Sequence, residues 1–116
     1  MILFNTTFAV DTRFADAFID FIRGTYIPEA EKWNAYGILL TEMQSIDTDG
    51  GQEEQQVRTF ALQLRIPSEE IFENFHNNAV ISMYGLISKT WGAGVCMFES
   101  RLDVIYDHTK ADGRKS

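Results

Sequence analysis

Side chains able to do chemistry are few in this chain: it holds two histidines and one cysteine among 116 residues. His76, in FENFHNNAV, borders the apolar stripe of an expected helix. An imidazole there can serve as acid, base or ligand, or pack as a boundary residue. Tyr26 lies in FIRGTYIPEAEKW, a helical pattern interrupted by Gly24 and Pro28, so the interruption is either a site or a joint. The broadest polar set is Asn5, Thr7, Gln63, Glu99 and Arg101, all on expected strands. Such amide, hydroxyl and charged groups either close a hydrogen-bonded interface or line a small-ligand pocket.

Other chemistry lacks its spacing. Asp47-Thr48-Asp49-Gly50-Gly51 has the acids of a calcium loop but lies between expected strands, where the flanking helices are missing. His76 and His108 are too far apart to pair on one helix turn, and Cys96 has no neighbouring ligand, so no metal site is expected. No serine sits in a nucleophile elbow, and WGAGV follows a helix where a phosphate loop would precede one. No catalytic residue is assigned, and whether the protein is an enzyme stays open on sequence grounds.

The elements that must position these groups follow from periodicity. Residues 2–10, ILFNTTFAV, alternate as a strand with Ile2, Phe4, Thr6, Phe8 and Val10 on one face. Asp11 or Thr12 then caps a helix carrying Phe14, Phe18, Phe21, Ile22 and Thr25. At the joint, Pro28 lacks the N–H that would meet the Gly24 carbonyl. The expectation is that Gly24 ends one segment as a left-handed cap and Thr25 caps the next, setting Tyr26 and Trp33 on the sheet's rim. GILLTEMQSI reads as a second strand and QVRTFALQLRI as a third, joined by the acidic loop DTDGGQEEQ.

Pro67-Ser68-Glu69-Glu70 opens a second helix running to about Thr90. Ser68 is its cap, and its buried stripe is Ile71, Phe72, Phe75, Ala79, Met83 and Leu86 or Ile87. A last strand, VCMFESRLDVIY, is expected to turn Cys96, Phe98, Ser100 and Leu102 toward the helices and Met97, Glu99 and Arg101 away from them. The order β-α-β-β-α-β predicts an α+β, ferredoxin-like domain over residues 1–106: a four-stranded antiparallel sheet with both helices on one face. Residues 107–116 read as a polar, flexible tail. The uncovered face, with Leu3, Ala9, Val57 and Ala61 among polar groups, is too apolar for plain solvent surface, so a homodimer through that face is predicted. The face assignment of the second strand stays open.

In order, MILFNTTFAVD, YIPE, the GG loop leading to TFALQL, and FESRLDVI resemble a bacterial family of short proteins known only as a domain of unknown function, of the dimeric α/β-barrel type. The resemblance covers most of residues 1–105 and implies the fold and the dimer, but no reaction. Where that family commonly has histidine before Ile-Pro this chain has Tyr26, and where it usually has arginine it has Glu99. Arg101, two residues on, is placed to compensate for the second change. Relatives in the wider barrel superfamily bind haem through a second-helix histidine with a first-strand asparagine, which here would be His76 and Asn5. Haem is therefore the alternative to a cofactor-free protein, and a monooxygenase-like enzyme the alternative to a small-ligand-binding or interaction module.

A formal net charge of -7 disfavours nucleic acid as a partner, and no apolar run reaches the length of a membrane-spanning helix. The lone cysteine and an N-terminus that starts directly on a strand make a reducing cytoplasm the expectation.

Overall fold

Strict alternation makes the first strand. In the computed structural model, which describes residues 1–44 and 56–105, β1 (Ile2–Asp11) buries Phe4, Thr6, Phe8 and Val10 and leaves the intervening side chains half-buried. It pairs antiparallel with β3 (Val57–Ile66) on one side and β4 (Val95–Leu102) on the other, and β2 (Tyr36–Glu42) flanks β3, giving the order β2-β3-β1-β4. Two helical layers cover one face: α1 (Ala15–Phe21) with α2 (Ile27–Lys32), and α3 (Glu69–Phe75) with α4 (Ile81–Trp91). This is the ferredoxin-like α+β arrangement expected from the order of elements. The acidic turn over 47–55 and the tail over 107–116 lie outside the described residues.

Both predicted caps form. Asp11 Oδ1 accepts from the Arg13 N–H at 2.9 Å, and Ser68 Oγ accepts from the Ile71 N–H at 3.2 Å. Between the layers lies an aromatic core in which Phe8 and Phe18 sit 4.9 Å apart and Trp91 meets Phe18 at 5.7 Å. Each such ring contributes about 1.5–3 kcal/mol on full burial. Of the expected second-helix stripe, Phe72, Phe75, Ala79, Met83 and Ile87 are buried; Leu86 is exposed, and Val80 joins the core instead.

Neither helical layer is a plain α-helix. A π-helical turn over Ile22–Tyr26 joins α1 to α2, with the Ile27 N–H donating to the carbonyl of Ile22, five residues back. A second, over His76–Val80, joins α3 to α4, with the Ile81 N–H donating to His76. The first corrects the expected joint. Gly24 is not left-handed, since among described glycines only Gly37 and Gly92 have positive φ, and Thr25 lies inside the turn rather than capping a helix. The core residues Phe18, Ile22, Tyr26 and Ala30 recur at intervals of four, which in an α-helix drifts about 40° per step. A wider turn absorbs that drift and also eases the clash of the Pro28 ring with the Gly24 carbonyl. Tyr26 is consequently carried into the core at 1% exposure, not onto the rim, while half-buried Trp33 packs against Phe75 at 6.3 Å.

The last strand also departs from expectation. Its register sets Glu99 opposite Thr6 and Arg101 opposite Phe4, so Val95, Met97, Glu99 and Arg101 face the helices, and Cys96, Phe98, Ser100 and Leu102 share the open face with β1's half-buried side chains. The cause is position. β4 is an edge strand whose residues from Phe98 onward are exposed, so its helix side is a wet cleft that suits charge. The apolar side chains Phe98 and Leu102 belong to the other surface. For β2, pairing of Leu39 with Gln63 and Leu40 with Leu62 settles the open face assignment: Leu39 and Thr41 lie on the uncovered face and Leu40 on the helix face.

Candidate functional site

The expected polar set is divided by the sheet. Asn5, Thr7 and Gln63 stay on the uncovered face, where Asn5 Nδ2 donates to Thr7 Oγ1 at 3.2 Å and Gln63 is Asn5's cross-strand partner. Glu99 and Arg101 pass through to the helix face and meet His76 there.

What brings them together is helical spacing on α3. Glu69, Phe72, Glu73 and His76 recur three or four residues apart and so line one face, turned toward β1 and β4. His76 Nε2 reaches both carboxylate oxygens of Glu99, at 2.9 and 2.8 Å. Because a carboxylate only accepts, Nε2 carries the proton. One turn earlier, the Arg101 guanidinium is held by Glu69 and lies over the Phe72 ring, 5.1 Å from its centroid. Phe4 meets Phe72 edge-on at 5.1 Å and His76 at 5.9 Å. The result is a cleft of about 340 Å3 with a floor of Phe4 and Phe72 and a rim of Glu73, His76, Asn77, Glu99, Ser100 and Arg101.

Behind Glu99 lies a group of hydroxyls. Thr6, the one buried polar residue of β1, faces the Tyr84 hydroxyl at 3.5 Å, and the buried Tyr26 hydroxyl has no hydrogen-bond partner among the described residues. Thr6 sits close enough to Tyr26 to ease its ionisation, yet outside hydrogen-bond geometry. Burial holds both phenols well above the ordinary tyrosine value, and the negative charge of Glu99 raises them further. Tyr26 and Tyr84 are thus both electrostatic neighbours of Glu99.

Asn5 and His76 lie on opposite sides of the sheet, so this pair does not converge on one haem. Among the described residues no three His, Cys, Asp or Glu side chains gather as a metal site. Sequence reasoning missed Phe4, Phe72, Glu73, Asn77 and Ser100 as parts of one site. The 69-72-73-76 spacing, mixing acids with a ring and an imidazole on a helix face, was the available signal.

Sheet order and helix placement define a ferredoxin-like α+β protein. Similar solved folds are an ethyl tert-butyl ether d (ethd) family protein from Bacillus halodurans and a dimeric ferredoxin-like protein from an uncultured marine organism. The first is 11% identical, with 89% of this chain and 100% of that one covered at a TM-score of 0.51. The second is also 11% identical, with 92% and 99% covered at 0.54. At that identity the likeness concerns fold alone. No curated protein sequence matches the chain. Residues 1–105 match the domain of unknown function DUF4286, and the chain belongs to that family. No reaction is assigned to it by that membership.

Proposed function

We propose that the protein is a homodimeric small-ligand-binding module whose ligand sits in the cleft between α3 and β4. The observation carrying this reading is the cleft itself: about 340 Å3, with two phenyl rings as floor and hydrogen-bonding groups confined to the rim. An apolar floor with a few convergent polar groups is the usual composition of a small-molecule site. Its size suits a molecule with one ring or a short chain and one polar head.

The dimer forms through the uncovered sheet face. Leu39, Phe98 and Leu102 are exposed there, Phe98 at 63%, which leaves an apolar patch for a partner of the same kind. A structural neighbour described as dimeric supports the same reading. Asn5, Thr7 and Gln63 then serve as interface hydrogen-bonding groups rather than ligand contacts. Among the described residues no helix is long and apolar enough to cross a membrane. The charge of -7 and the single cysteine favour a reducing compartment and a partner other than nucleic acid.

The test fills the cleft without touching the core. Asn77 is exposed and lines the site, so Asn77→Trp should leave folding intact while blocking entry. Fragments detected by saturation-transfer NMR on the wild type should lose their signal on this variant. Equal signals from both proteins would sink the assignment.

A further inference from the structure

The charges around the cleft do not balance, and the imbalance names a ligand class. Arg101 is neutralised by Glu69, and His76 is engaged by Glu99 through both carboxylate oxygens. Glu73 also lines the cleft, exposed, its carboxylate without a hydrogen bond among the described residues though near enough for its charge to act on Arg101. Of the four ionisable groups in the lining, two are acids, one is an imidazole, and the one permanent cation is already paired outside the lining. The field inside is negative.

The cleft also displays a cation in place. Arg101 lays its guanidinium over Phe72 while a carboxylate holds its far side. Attraction of a cation to a ring face, completed by an anion, is the arrangement by which aromatic sites hold ammonium and guanidinium groups. Phe4, set at 67° to Phe72, adds a second aromatic wall to the same corner.

Resting on the cleft reading above, we infer that the ligand is an organic cation: a primary ammonium or guanidinium on an aromatic or short aliphatic body. The apolar body occupies the corner of Phe4 and Phe72, and the cation meets Glu73 and the outer edge of Glu99. Carboxylate ligands are disfavoured, because the Arg101 guanidinium would first have to leave Glu69, and Glu73 and Glu99 would repel them.

Three probes of one size and different charge test this: benzylammonium, benzyl alcohol and benzoate, titrated at pH 7 and low salt into the 15N-labelled full chain. Shifts at residues 72–77 and 99–101 should give benzylammonium an affinity roughly threefold to tenfold above benzyl alcohol, with benzoate weakest. The preference should shrink in Glu73→Gln and at high salt. Benzyl alcohol and benzylammonium binding equally, or benzoate binding best, overturns the cation assignment and leaves the cleft standing. No shift with any of the three overturns the cleft reading and the cation assignment with it.

Discussion

Replacing Tyr26 by phenylalanine should stabilise the protein. Tyr26 is 1% exposed and its hydroxyl is buried without a partner among the described residues. Leaving a buried hydroxyl unsatisfied costs about 1–3 kcal/mol of desolvation, which the substitution removes. Against that stands a void the size of one oxygen, on the order of 15 Å3, which at about 24 cal/mol per Å3 costs about 0.4 kcal/mol. The net gain is about 0.5–2.5 kcal/mol, and at about 4 °C per kcal/mol for a chain of this length Tm should rise by about 2–10 °C. Differential scanning calorimetry at neutral pH and fixed protein concentration reads this directly. Tyr26→Ala, which deletes the ring as well, should instead cost about 3–5 kcal/mol. A lower Tm for Tyr26→Phe would mean that the hydroxyl has a partner, and would refute the reasoning.

The same burial predicts an alkaline signature. Both Tyr26 and Tyr84 are raised above the usual value of about 10, so the folded state keeps protons that the unfolded state has lost above that pH. Stability conferred by the neutral phenols is therefore complete below about pH 10 and falls as pH rises beyond it. Absorbance at 295 nm should show two tyrosines, Tyr26 and Tyr84, un-ionised past pH 10 until the protein unfolds, and their ionising in the folded state at the ordinary value would contradict this. Gly24→Ala should stabilise by about 0.4–1 kcal/mol, because a Cβ there meets nothing within 4 Å and φ is not positive; a left-handed cap at Gly24 would give a loss instead. Gly94→Ala should cost about 1–3 kcal/mol in chemical unfolding, since its Cβ would lie 2.6 Å from the Phe14 ring. Phe98→Asp should dissociate the dimer in sedimentation equilibrium. Two-fold symmetry counts the lost ring twice, about 2–4 kcal/mol, or roughly thirtyfold to several-hundredfold in Kd. An unchanged association would remove the uncovered face from the account.

Strand order, helix placement and both caps were legible because each rests on local signals: alternation in 2–10 and 57–66, Asp11, and Ser68 ahead of two glutamates. The site was not, and one strand explains why. In β4 the apolar residues Phe98 and Leu102 point away from the helices, so reading apolar as inward exchanged the two faces and moved Glu99 and Arg101 to the wrong side. Apolarity marks any buried or partner-seeking surface, and on an edge strand it does not say which. The π-helical turns were missed for a different reason. Gly24 and Pro28 read as punctuation, whereas the four-residue recurrence of Phe18, Ile22, Tyr26 and Ala30 carried the better clue to an unbroken, widened helix.

The central claim is that the ligand site lies between α3 and β4 and not on the uncovered sheet. Amide chemical-shift mapping of the 15N-labelled protein with a neutral probe such as benzyl alcohol tests it most directly. The account predicts shifts clustered at residues 72–77 and 99–101, absent in Asn77→Trp. Shifts centred instead on Asn5, Thr7 and Gln63 would contradict it.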